Sequence, residues 1–226
     1  MYLARALWVG LGAALLAISQ PAELPPWKAA QFRGGVLPLT PVQAVAGGEV
    51  FVEATVNGSG AVGDVTTLRT SEPFGQYVLN AVRGWQFQPA EETVFTRPGD
   101  PRSIVTRAVE SRVLVACVFR PPTLNTPTLG VPPKDVERGT EDVAVPFSTV
   151  TPLYPPLALG DATVLVQVTV DITGSVVSAT TLRSVPGFDE SALTAARRWI
   201  FRPARIHGRL EETLAYLVFA FRQPVT

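Results

Sequence analysis

Three sets of residues have the types and spacing that chemistry would require. Gly58-Ser59-Gly60-Ala61-Val62-Gly63 follows the G-x-G-x-x-G pattern by which many enzymes cradle a dinucleotide pyrophosphate. His207 is the single histidine and Cys117 the single cysteine. Adjacent carboxylates occur at Glu91-Glu92, Asp189-Glu190 and Glu211-Glu212. A lone histidine with no cysteine pair at ligand spacing disfavours zinc and His-based triads. Neighbouring carboxylates at turns and helix starts are usually solvated surface. One cysteine forms no intrachain disulfide, and Cys117, inside an apolar stretch, reads as a core thiol. With no G-x-S-x-G elbow and no P-loop, the sequence predicts no catalytic, cofactor or metal site.

The glycine pattern is decided by an internal repeat. Shifting the chain by 114 positions aligns 36–90 with 150–204 without a gap, and 23 of the 55 pairs are identical. Shared residues include Val50 and Val52 with Val164 and Val166, and Thr66 to Arg69 with Thr180 to Arg183. The Trp85-x-Phe87-x-Pro89-Ala90 set recurs as Trp199-x-Phe201-x-Pro203-Ala204. Where the first copy has its three glycines, the second keeps only Gly174, the counterpart of Gly60. A phosphate cradle needs all three, so the stretch predicts a hairpin turn, opened by the side chain of Asn57 or Asp171 and closed by the glycine.

Each copy then shows one plan. Val50, Val52, Ala54, Val56 and Val164, Val166, Val168, Val170 alternate with period two, as a half-buried strand requires. A β-branched second strand follows. Phe74, Val78, Ala81, Trp85 and their partners Phe188, Ala192, Ala195, Trp199 fall on one helix face. The last strands are SRVLVACVF and TLAYLVFAF. Phe119-Arg120 aligns with Phe221-Arg222 at an offset of 102, so the first copy has 12 extra residues, expected as a loop around Thr93 to Val105, with Arg97, Asp100 and Arg102 solvated. The aperiodic, proline-rich 122–147 reads as a semi-rigid linker.

Composition narrows the class. Lys and Arg balance Asp and Glu, giving a formal net charge of +0. No whole-chain field draws in nucleic acid or an anionic membrane. The apolar run from Ala6 to Ile18, preceded by Arg5, has the length of an export signal and is short of the roughly 20 residues of a membrane span. Residues 1–19 are expected as a signal peptide, with a retained short anchor as the alternative.

The motifs YPPLA at Tyr154 to Ala158, V-x-V-x-V-x-x-x-G-x-V from Val166 to Val176, AARRWIFRPA at Ala195 to Ala204 and the closing LVFAF carry a resemblance over about 70 residues. Together they resemble the C-terminal domain of the TonB energy-transducer family. The resemblance implies a small periplasmic α+β unit, two helices against a three-stranded antiparallel sheet. It also implies that an edge strand receives an extended peptide from an outer-membrane receptor. The first copy departs from the pattern, with Thr40 in place of Tyr154. The S-x-x-x-H element of the family's spanning helix is missing, as is its long charged spacer, so coupling to the proton gradient is not implied.

The expected architecture is therefore α+β, with two tandem TonB-C-terminal-like domains at 36–121 and 148–226, each a three-stranded antiparallel sheet with two helices. The expected function is a periplasmic module that engages extended peptides of envelope or outer-membrane transport proteins by strand addition. The alternatives are a structural envelope protein whose two copies pair edge to edge, and a membrane-anchored energy transducer. The expected partner contacts are Tyr154 and Pro155, and Thr213, Ala215, Leu217, Phe219 and Phe221 on the last strand, with a structural role for Tyr154 weighed equally. Trp85, Trp199, Phe87 and Phe201 are expected in the core, and Arg197 and Arg198 at a helix end.

Overall fold

The computed structural model describes residues 27–97, 100, 102–122, 136–137 and 139–224. The expected signal segment, 1–19, lies outside them. Elements in the N-terminal half are β1 (Trp27–Lys28), β2 (Gln31–Gly34), β3 (Gly48–Val56), β4 (Val62–Arg69), α1 (Gly75–Arg83), β5 (Gln86–Gln88), β6 (Ala90–Phe95), β7 (Ile104–Val109) and β8 (Ser111–Phe119). The C-terminal half contains β9 (Val145–Ser148), β10 (Ala162–Val170), β11 (Val176–Arg183), α2 (Asp189–Ala196), β12 (Ile200–Arg202), β13 (Arg205–Ile206), β14 (Arg209–Leu210) and β15 (Thr213–Phe221).

Local chemistry sets the turns. Asn57 Oδ1 accepts the Ser59 and Ala61 amides at 2.9 and 3.1 Å, and Asp171 Oδ1 accepts those of Thr173 and Ser175 at 2.8 and 2.9 Å. Gly60 and Gly174 close these turns at φ 85° and 86°. A Cβ on either would sit 1.9 Å from the carbonyl oxygen of Phe87 or Phe201, so backbone approach as well as φ requires glycine. The G-x-G-x-x-G stretch is a hairpin turn. Phe87 N donates to Gly60 O and Phe201 N to Gly174 O, both at 2.8 Å. Trp85 Nε1 reaches Val36 O at 2.9 Å and Trp199 Nε1 reaches Val150 O at 3.0 Å. Each helix is thus tied to its hairpin and to the segment leading into its first strand.

The two halves share one sheet of six strands, in the order β11-β10-β15-β8-β3-β4. β10 and β15 run antiparallel, as do β3 and β8, while β8 and β15 join in parallel from Leu114↔Ala215 to Phe119↔Ala220. Two separate three-stranded sheets were expected; each half's three strands exist, but the last strands fuse them. The sequence signal was the unbroken apolar runs Val113 to Phe119 and Ala215 to Phe221, which mark strands buried on both faces. One face packs Phe51, Leu114, Ala116 and Val118 with Trp199, Leu217, Phe219 and the α2 residues Ala192 and Ala195. The other packs Leu165, Tyr216, Val218 and Ala220 with Trp85, Phe87 and the α1 residues Val78 and Val82. The expected core aromatics Trp85, Trp199, Phe87 and Phe201 are all buried.

Other expectations are corrected by the described residues. Each half has one helix, because prolines 38, 41, 152, 155 and 156 keep the lead-in segments irregular. The N-terminal unit begins before 36, since β2 pairs with β5 and β1 with β6. The linker ends before 147, since β9 pairs with β12 and Val143 to Val145 are buried. Phe32 pairs with Phe87 and Pro146 with Phe201, so these strands occupy corresponding places although no matched position carries the same residue. The 12-residue excess is a longer hairpin, β6–β7, where the second half has the two-residue strands β13 and β14. Its tip is pinned by Asp100, whose carboxylate accepts the Arg102 amide at 2.9 Å.

Two outcomes follow. A fragment of residues 139–226 would expose Tyr216, Val218 and Ala220 and the bare edge of β15, and is expected to self-associate, whereas the intact chain buries that edge against β8. Light scattering on fragment and full chain checks this. The Asp171 carboxyl is held below its usual range, first by the Thr173 hydroxyl and then by the Ser175 amide. A depressed acid stabilises the fold above its unfolded pKa, and that contribution is lost as pH falls through the folded pKa. Asp171→Asn is expected to lower Tm near pH 7, and the difference from wild type to vanish well below about pH 4.

Candidate functional site

The lead-in segment before β10 folds over α2. Tyr154 is buried, its hydroxyl donates to Gly160 O at 2.7 Å, and its ring stands edge-on to Phe188 at 5.5 Å between centroids. Burial first, and the Asp161 charge second, push its phenol pKa up. The Ser191 hydroxyl donates to Leu153 O and fastens the segment to the helix. Between segment and helix lies a half-open groove of about 380 Å³, lined among others by Pro152, Tyr154, Pro155, Gly187, Thr194 and Arg198. Leu157 and Leu159 beside it are 98% and 84% exposed, apolar surface of the kind partner sites use. Tyr154 is thus a structural wall of the groove, and Pro155 lines it. Arg197 caps α2, and Arg198 faces the groove.

The last strand is placed differently from expectation. Ala215, Leu217 and Phe219 stand in register with residues of both β10 and β8. Thr213 and Phe221 pair with β10 and are buried. β15 therefore presents no edge to an incoming strand in this conformation, because β8 occupies it along six residues. The open edges of the large sheet are β4 and β11. They differ in protection. β4 carries Asp64, and the Glu137 amide donates to Leu68 O at 2.7 Å, so the chain after 136 covers that edge. In β11, Val176 to Leu182 contains neither charge nor proline, and Arg183 is its only ionised residue. An edge strand without charge, proline or cover is a template for pairing. β11 runs by way of Ser184 to Gly187 directly into the groove lining.

Two buried charges escaped sequence reasoning. Glu53, buried on β3, accepts Arg112 Nη1 at 2.8 Å, the Thr140 amide at 2.8 Å and the Thr140 hydroxyl at 2.9 Å. Arg112 titrates above its usual value, chiefly through its bond to Glu53. The other is Arg120, at the end of β8 and also buried. Only the alternation of β3, with one acid among apolar residues, hinted at Glu53. Cys117 is a buried thiol whose pKa burial pushes up. Among the described residues no group of three or more His, Cys, Asp or Glu side chains is placed to hold a metal. His207 is exposed, 3.9 Å from Glu92.

Residues 151–222 match the family model of the Gram-negative bacterial TonB protein C-terminal. The matched stretch begins at the lead-in segment and ends just past β15, so groove, α2, β11 and β15 all fall inside it. The C-terminal half is therefore similar to a domain class of the bacterial envelope, whose members generally bind proteins such as outer-membrane receptors. The match leaves the N-terminal half outside. A search of curated proteins found no match to the chain. No helix among the described residues is long and apolar enough to cross a membrane.

Because Tyr154 both packs and bonds, two variants separate its roles. Tyr154→Phe is expected to lower unfolding stability by about 1 kcal/mol through the lost Gly160 bond, and Tyr154→Ala by about 3 kcal/mol through the cavity. Urea denaturation of the full chain reads both.

Proposed function

We propose that this chain is an exported, periplasmic, TonB-like envelope protein that works by binding rather than catalysis. Its ligand is an extended peptide of an envelope or outer-membrane transport protein, and the peptide adds as a further strand to the outer edge of β11. The observation that carries this reading is the contrast of edges: β15 is occupied by β8, β4 is bonded at Leu68 by the Glu137 amide, and β11 is open among the described residues and carries no charge from Val176 to Leu182. Backbone bonds along β11 supply affinity, and alternate side chains with the adjoining groove supply choice. The similarity of the C-terminal half to the TonB C-terminal family supports the setting. We read the N-terminal half as a second unit of the same kind, supported by hydrogen bonds that recur 114 residues apart at Trp85 and Trp199. Its long β6–β7 hairpin and covered β4 edge fit it to a supporting role.

A second reading is a structural protein in which the edge-to-edge union of the halves is itself the purpose; the β8–β15 pair favours it. Hydrogen exchange of the full chain decides between them, with an array of extended peptides taken from periplasmic segments of outer-membrane receptors as probe. Under the binding reading, β11 amides exchange fast alone and become protected by a subset of peptides, and Ser178→Pro abolishes that protection while the circular dichroism spectrum is kept. Absence of protection at β11 by any peptide would overturn it in favour of the structural reading.

A further inference from the structure

Arg120 is 4% exposed, yet its guanidinium is only partly satisfied. Its backbone amide donates to Ala220 O at 2.8 Å and its Nη1 to Pro152 O at 3.3 Å. Nε and Nη2 are buried and have no acceptor among the described residues. These two nitrogens form one edge of the planar group, the edge whose parallel N–H bonds fit a carboxylate two-pronged. Burial lowers the pKa of Arg120, but a guanidinium does not give up its proton in a protein, so a cation is held here with no counter-charge among the described residues.

The other half supplies a control. Arg222 stands at the corresponding end of β15, and its Nε lies 3.7 Å from Asp161 Oδ2. Its Nη1 and Nη2 donate to Ala44 O and Val42 O in the N-terminal lead-in segment, as Arg120 donates to the C-terminal one. The same crossed clamp is thus built twice, and only one copy has its acid. At the position aligned with Asp161 stands Gly47, where a Cβ would lie 2.6 Å from Pro121 Cδ and 2.7 Å from Phe119 O. No acidic side chain fits that place in the chain. Pro152, whose carbonyl holds Nη1, also lines the groove beside α2.

We propose that Arg120 is a carboxylate receptor: its Nε and Nη2 edge takes, two-pronged, an acidic side chain or terminal carboxylate of the peptide this protein binds. The peptide as source rests on the function proposed above; the receptor itself does not. Access requires the irregular lead-in segment 151–156 to shift, and no strand named among the described residues runs through it.

Thermal melts of the full chain in sodium acetate and in sodium chloride at equal ionic strength test the receptor. Acetate is expected to raise the Tm of wild type above chloride, and equally that of Asp135→Asn, which removes the single acid in the sequence between Arg120 and residue 136; it is expected to act weakly on Arg120→Lys, which keeps the charge without the fork, and not at all on Arg120→Leu. Peptides protected at β11 are then compared as free acids and as amides; the acid is expected to bind about tenfold tighter, as a charge-assisted pair implies, and Arg120→Leu to abolish the difference. An acetate effect equal to chloride in wild type, or one that survives in Arg120→Leu, would overturn the proposal. So would an effect seen only in Asp135→Asn, which would make the chain's own Asp135 the occupant. Ser178→Pro separates the two readings, since it removes peptide binding and leaves the acetate response intact if only the strand-addition reading fails.

Discussion

The parallel union of β8 with β15 is the constraint from which the rest follows. In sequence the two strands correspond at an offset of 102, but Leu114 pairs with Ala215, so the ladder is staggered by one residue relative to the repeat. Because side chains alternate with period two, a stagger of one places corresponding residues on opposite faces. The halves are therefore turned about the strand direction, with α1 packed on one face and α2 on the other. Each half covers the face that the other half's helix leaves bare. Phe51 of the N-terminal half meets Trp199 of the C-terminal half at 6.2 Å, and Tyr216 returns the contact to Phe87 at 5.4 Å. Tyr216 also fixes β2 and the residue before it, donating to Ala30 O and accepting the Phe32 amide.

Fusion at the centre leaves the free strand edges of the large sheet at its margins. The last strand of each half lies inside the sheet, which ends in the two second strands, β4 and β11. The halves differ where they reach solvent. The N-terminal half has its edge covered, its hairpin lengthened and its lead-in exposing Val42 and Val45. Among the described residues the C-terminal half has an edge strand without cover, and it runs into a groove.

Polar groups are concentrated where strands end, and they hold the irregular parts. Glu53 ties residue 140 to β3 through Thr140, and Glu49 accepts the Thr149 hydroxyl at 2.7 Å while paired with Arg69. Buried ion pairs contribute little net stability against apolar replacements, but removing one member is costly. Their evident effect is register: they fix where aperiodic chain crosses a sheet that would otherwise offer it only apolar surface.

Local patterns in the sequence determined the strands β3, β4, β10 and β11, both helices, the Asn57 and Asp171 turns and the buried tryptophans, because alternation, helix spacing and turn chemistry act within a few residues. They also showed that Gly58 to Gly63 builds a turn, since the repeat keeps one glycine of three. The weak strands β2 and β9 were hidden because their pairing partners, not their residues, define them. What joins the halves was written only as apolar runs in β8 and β15, which require a second cover without naming it. The tertiary structure decided that the cover is the other half. It thereby closed β15 to partners, left β11 open and brought Arg120 to Pro152 across the union, since parallel pairing between distant strands is a property of the assembled sheet and not of either strand's sequence.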